Sequence, residues 1–126
     1  MTTALPNADT PAAFSTRAVG QWRDVISERF VALTPEPVEP EFFRGALQMH
    51  ERGGLGVSVI SGSPQRVRRG PEEIRRSPGP HLFFIHQVAG EGCVQHDGGT
   101  LRMRHGDCVL VHPDRPYELG FDQAFR

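Results

Sequence analysis

The side chains able to do chemistry in this chain arrive mostly as single letters in its second half, not as a catalytic set. Tyr117, the only tyrosine, ends the run Gly106-Asp107-Cys108-Val109-Leu110-Val111-His112-Pro113-Asp114-Arg115-Pro116-Tyr117. That run reads as turn, buried strand, rigid Pro-spaced corner and next strand. A Tyr117 that points inward adds its ring to an apolar wall and offers its hydroxyl to a bound molecule; a core tyrosine bonded to a backbone carbonyl fits the spacing equally. Phe83, Ile85 and Gln87 share one face of their segment by alternation. Gln87 would then be a polar group on an apolar wall. A buried amide without a partner costs ~1–3 kcal/mol, so a ligand, an ordered water or a neighbouring strand must engage it. Val57, on the face it shares with Leu55 and Val59, joins this candidate wall. His112 would stand at the rim, either as a sensor of an anion or of pH, or as an exposed side chain without a role.

Other chemistry is absent from the pattern. No Ser-His-Asp grouping, phosphate-cradling glycine loop or Cys-His nucleophile stands out. Cys93 and Cys108 make neither a metal spacing nor a disulfide framework, and are read as buried reduced thiols. Glu91, Asp97 and Asp107, like Gly90, Gly98 and Gly106, fall in turns that explain them. Arg66, Arg68, Arg69, Arg75 and Arg76 form the densest positive stretch. Glu72 and Glu73 interrupt it and no aromatics interleave, so it reads as a solvated or interdomain face and not as a nucleic-acid patch.

At 126 residues the chain is sized for one domain with a modest core. Fourteen glycines and eleven prolines demand frequent turns, and eight phenylalanines can fill a barrel interior. A net charge of −1 supplies no field to hold a polyanion. No apolar run is long enough for a membrane helix and no secretory signal is visible, so a cytoplasmic protein is expected.

The elements that must position these residues follow from the pattern. Residues 1–13 are small, polar and Pro-interrupted, and read as a mobile tail. Trp22, Val25, Ile26, Phe30 and Leu33 recur at helical spacing over 20–33. Thr34-Pro35-Glu36-Pro37-Val38-Glu39-Pro40 then predicts a stiff extended connector. Short strands follow over 42–50, 55–60, 65–69, 81–89, 93–96, 100–104, 109–111 and 117–121, with one short helix at 71–76. Asp97-Gly98-Gly99 marks a hairpin. One amphipathic helix ahead of seven or eight short strands predicts a mainly β antiparallel barrel or jelly roll.

The segment Leu82–Phe121 resembles a cupin core, with its glycine turn, hairpin, Gly106-Asp107 and Pro116. The longer order narrows this. A Trp-bearing helix precedes Gly45-Ala46-Leu47, Leu55-Gly56-Val57-Ser58, Val67-Arg68-Arg69, Gly90, Gly106-Asp107 and Arg115-Pro116-Tyr117. This order is similar to the N-terminal sensor domain of AraC-type transcription regulators, over residues 17–126. The resemblance implies a cupin-like domain over 14–126 that encloses a small-molecule effector. It implies control of a C-terminal helix-turn-helix DNA-binding domain absent from this chain, contact with DNA only through that domain, and a homodimer as a further partner. It also implies a structural part for Gly90, Gly106, Pro116 and Arg69, Arg69 anchoring a loop through carbonyls or carboxylates.

In metal-dependent cupins two His, a Glu and a further His hold a divalent ion. Counted from Gly90, those positions fall near Ser77, Gly79 and Phe83, and the last is Tyr117. A barrel with no metal, no cofactor and no catalytic residue is therefore expected, its effector met by Tyr117, Gln87, Phe83, Ile85, Val57 and His112. His81, His86, His96, His105 and His112 leave open an unrecognised metal set. The rival readings are a small metal-dependent cupin dioxygenase or isomerase and a stand-alone ligand-binding cupin.

Overall fold

The computed structural model describes residues 12–79 and 82–126, and is mostly β with antiparallel pairing throughout. Most of the predicted tail, residues 1–11, lies outside the described part, as do Pro80 and His81. Ala12 and Ala13, assigned to that tail from sequence, instead open strand β1 (Ala12–Thr16). Helix α1 (Val19–Arg29) follows. It stops before the predicted end because Phe30 leaves helical geometry, while Leu33 closes a loop by exchanging two hydrogen bonds with Ser27 Oγ.

The Pro-rich stretch is not merely a connector. Thr34–Pro37 is strand β2, antiparallel to β5 (Gln65–Arg69). Prolines survive there because β2 is an edge strand with only one neighbour, so its missing N–H groups can face away from the ladder. A single 3-10 turn at Pro40–Phe42 delays β3 to Gly45–Arg52, which pairs with β4 (Leu55–Gly62). Helix α2 spans Pro71–Arg76. Strands β6 (Phe83–His86), β7 (Gly92–His96), β8 (Gly99–Met103), β9 (Cys108–Val111) and β10 (Tyr117–Phe121) complete the described set. Ten strands exceed the seven or eight expected, because β1 and β2 carry no alternation that sequence could show.

The strands form a β1-β3-β4 sheet, a β2-β5-β10-β7-β8 sheet and a β6-β9 pair. The C-terminal residues join the first and third. Phe125 bridges Gly62 through reciprocal backbone bonds, and Arg126 exchanges backbone bonds with Ala89. Gln65, Val67, Arg69, Val94, Met103, Tyr117 and Phe121 are buried on one face of the larger sheet, while Arg66, Arg68 and Arg102 lie outside. Opposite them stand Leu47 with its register partners Phe14 and Ile60, and the Phe83–Val111 and Ile85–Val109 pairs.

Helix α1 packs against this core through the buried Trp22 and Ile26. Trp22 is 1% exposed, packs on Gly45 where any Cβ would collide with the indole, and donates Nε1–H to Gln65 Oε1 at 3.0 Å. Burying an indole and a phenylalanine in this way contributes several kcal/mol of apolar transfer energy, on the order of 2–3 each.

Candidate functional site

At one end of the core Arg69 is completely buried, and its guanidinium donates only to main-chain carbonyls. Nε bonds Pro113 O at 2.7 Å, Nη1 bonds Ala32 O at 3.0 Å and Glu73 O at 3.4 Å, and Nη2 bonds Ser77 O at 2.6 Å. One side chain thus ties the loop after α1, helix α2 and the β9–β10 corner together. Glu73, 5% exposed, completes the knot: its carboxylate accepts from Gly70 N at 3.0 Å and from Thr34 Oγ1 at 2.5 Å. Burial alone would raise the Glu73 pKa, but these hydrogen bonds and the Arg68 charge outweigh it and hold the group below its ordinary value. Sequence reading missed Glu73 because Gly70 stands where a capping box would show Ser or Thr.

Tyr117 lies beside this knot, in register with Arg69 on one side and His96 on the other. It is 8% exposed, and burial pushes its pKa up to about 12, with the Arg69 charge acting in the opposite sense. The phenol therefore stays protonated. Phe83, half-buried, is at the same end, edge-on to Phe30 with centroids 5.8 Å apart. Ile85 is half-buried one step further in.

Gln87 belongs to the other end. It is 2% exposed and follows β6. Its Nε2 donates to Ala89 O at 3.0 Å, and that same carbonyl accepts from Arg126 N at 2.9 Å. Gly90, with φ of +75°, lets the chain pass under Ala124 and Phe125; a Cβ there would run into Ala124 O. Phe125 stacks on Phe121 at 3.7 Å. Tyr117 and Phe121 are the two ends of β10, so the Tyr117 and Gln87 ends are roughly 13 Å apart at strand rise. The candidate wall is therefore one face with two separate polar ends. Gly106, at φ +92°, supports the Gln87 end by donating its N–H to Gln87 O at 2.7 Å. Pro116 immediately precedes β10.

Two candidates do not join this face. Val57 is 45% exposed and pairs with His50 on the outer side of its sheet, opposite Leu47 and Ile60, because the α1-covered face takes the even positions of β4. His112 is exposed in the corner, where its Nδ1 accepts from Asp114 N at 3.3 Å. The reading of both cysteines as buried is also corrected: Cys93 is half-buried, and Cys108 is exposed opposite His86, because β9 turns that position outward. The same outward face carries Phe84 and Leu110, direct register partners that are 71% and 61% exposed, a feature the apolar runs concealed. A hollow of about 890 Å³ also opens on the outer side, lined by Gln48, Val59, Ser61, Val88 and Arg126 among others. A smaller one of about 340 Å³ lies beside Tyr117, His96 and Arg68. Among the described residues no three His, Cys, Asp or Glu side chains converge as a cation site requires. No helix of the described part is long and apolar enough to cross a membrane.

With this geometry in place, likeness to known proteins becomes informative. A model of the AraC-binding-like domain matches residues 22–126, nearly the whole described barrel. The chain belongs to that family. A curated relative from Bacillus sp. (strain OxB-1), described as an uncharacterized protein in nit 5'region, is 30% identical over 105 residues. The match covers 83% of this chain and 41% of the relative. Among solved structures, the AraC-like transcriptional activator CuxR superposes with a TM-score of 0.70 at 17% identity, covering 90% of this chain and 45% of that one. That likeness establishes the fold. The chain thus spans less than half the length of either protein. The AraC-type resemblance read from spaced single residues, and the cupin-like β architecture, both hold.

Proposed function

We propose that this AraC-binding-like domain is the effector sensor of a bacterial transcription regulator, working in the cytoplasm. It binds a small molecule without a metal and controls an attached DNA-binding domain. Family membership over residues 22–126 carries this reading, and the fold shared with a transcriptional activator supports it. The inner face of Phe83 and Ile85, with Tyr117 at one end and Gln87 at the other, is the proposed effector contact. Val57 and His112 stand away from that face and are not assigned to it.

Effector binding acts by population shift. A ligand moves a regulator between two arrangements only by its differential affinity for them. The C-terminal segment is the element best placed to feel that difference. Arg126 is held by backbone bonds to Val88 and Ala89, next to Gln87, so a change at the inner face reaches the chain's last described residue in two steps. DNA contact belongs to the attached domain. The outward Phe84–Leu110 pair supports a contact between two protein copies, since uncovered apolar pairs of this size mark association surfaces.

The test is a thermal-shift screen of neutral and anionic small molecules on this domain, followed by DNA binding of the longer regulator with each hit. A true effector raises the melting temperature by mass action and alters DNA affinity. A stoichiometric catalytic metal together with turnover of the hits would instead establish the enzyme reading.

A further inference from the structure

Three buried polar side chains of this core, Gln65, Glu73 and Arg69, are closed systems. Gln65 is fully buried, accepts from Trp22 Nε1 and donates from Nε2 to Ser63 O at 3.1 Å. Glu73 has donors on both carboxylate oxygens, and Arg69 has four carbonyls. Gln87 differs from these three, as does the Tyr117 hydroxyl at the far end of β10, which has no hydrogen-bond partner among the described residues. Gln87 is as inaccessible as those three, and its backbone is satisfied by Asp107 O and Gly106 N. Its Nε2 has Ala89 O, but its Oε1 accepts no hydrogen bond from any described residue. A buried acceptor left open is costly, and native cores carry few of them. The side chain alternates onto the inner face with half-buried Phe83 and Ile85, and the aromatic neighbours at that end are Phe121 and Phe125.

We infer that the effector of this barrel is a neutral, partly apolar molecule that presents an O–H or N–H donor to Gln87 Oε1. This rests on the sensor reading above and specifies its ligand chemistry. A neutral donor is the fitting group for two reasons. An amide oxygen repels a carboxylate, and a charge set among Ile85, Phe121 and Phe125 would be desolvated without an opposite partner. Arg69 cannot supply that partner, because it lies at the far end of β10 and is committed to carbonyls. The same amide donates to Ala89 O, which also receives Arg126 N, so a ligand that fixes Gln87 also fixes the carbonyl holding the C-terminal segment.

The experiment has a ligand-free and a ligand-bound arm. Without ligand, Gln87→Met exchanges the open amide for a thioether of similar volume. Relief of the open oxygen offsets the lost bond from Nε2 to Ala89 O, so the melting temperature is expected to hold or to rise by up to about 5 °C for a domain of this size. A fall of more than about 5 °C would exceed the loss of the one bond from Nε2 to Ala89 O, would show that the amide oxygen is engaged by the protein itself, and would overturn the assignment. In the second arm, titration calorimetry compares benzamide with N,N-dimethylbenzamide, and benzyl alcohol with benzyl methyl ether, on the wild-type chain, Gln87→Met and Phe84→Ser. The donor-bearing member of each pair is expected to bind about tenfold tighter, the worth of one recovered hydrogen bond. Gln87→Met should erase that preference while Phe84→Ser, on the outer face, leaves it intact. Equal binding of capped and uncapped probes keeps the effector site and overturns the donor requirement. A preference that survives Gln87→Met and falls in Phe84→Ser moves binding to the outer surface and overturns the assignment. Silence of all four probes on every chain overturns the sensor reading for molecules of this class and this inference with it.

Discussion

The Arg69–Glu73 cluster and Gln87, at opposite ends of the core, handle the same difficulty, a polar side chain out of reach of water, in opposite ways. Around Arg69 every neighbouring loop supplies a carbonyl, and Glu73 receives a donor on each oxygen, so the cluster is complete without any other molecule. Around Gln87 the chain supplies a partner for the amide nitrogen and none among the described residues for the oxygen. A completed cluster fixes loops in space and gains nothing from a ligand. An incomplete one carries the cost of an unpaired acceptor, which a bound donor would offset. Burial alone does not separate these two kinds of polar group, whereas the count of satisfied atoms does.

The largest expected effect lies at the closed end. Arg69→Met strands the carbonyls of Pro113, Ala32 and Ser77, and should destabilise the domain by about 3–5 kcal/mol. Urea unfolding followed by the fluorescence of Trp22, the sole tryptophan, measures it directly. A loss below about 1 kcal/mol would mean that water replaces the guanidinium and that the end is open after all.

Tyr117 comes next. Its folded pKa of about 12 lies above the ordinary value of 10.0, so its contribution is fully present below pH 10. It is lost as the pH rises toward the folded value, by on the order of 2 kcal/mol. Because the chain has one tyrosine, ultraviolet titration of tyrosinate reports this residue alone. Tyr117→Phe should flatten the alkaline branch of the stability profile. An ordinary midpoint near 10 would instead place the hydroxyl in water.

A smaller effect is expected from Glu73→Gln, about 1 kcal/mol for weakening the start of α2 and the bond to Thr34. The folded pKa of Glu73 is depressed, so its contribution is present above the ordinary value of 4.5 and lost as the pH falls through the folded value. Wild type should lose stability on acidification more steeply than the variant, as read by melting temperature against pH. Parallel acid branches would remove Glu73 from the cluster.

Much of this contrast was legible in the letters. One helix followed by many short strands predicts a barrel or jelly roll, the Gly106–Tyr117 run adds its cupin-like resemblance, and the alternation of Phe83, Ile85 and Gln87 marks an inward face, because period-two burial is written directly into strand sequences. Arg69 stands out in the sequence only by its place in the AraC-type order that the chain resembles. What stayed hidden depends on neighbours distant in sequence. The four carbonyls on Arg69 come from residues 32, 73, 77 and 113, and no spacing rule gathers them. Strand β2 was masked by its prolines, which only an edge position permits. The alternation of Val57 with Leu55 and Val59 is real, but which sheet face is inner is decided by Trp22 packing on Gly45. The separation of Tyr117 from Gln87 likewise follows from register, which single-strand patterns do not carry.

The most direct measurement sets Arg69→Met beside Gln87→Met in one ligand-free urea series, with equal unfolding slopes as the check that both chains unfold alike. A closed end and an open end predict a loss of several kcal/mol for the first, and no loss or a gain of about 1 kcal/mol for the second. Comparable losses in both would contradict the distinction, and with it the claim that the Gln87 end is kept for a ligand.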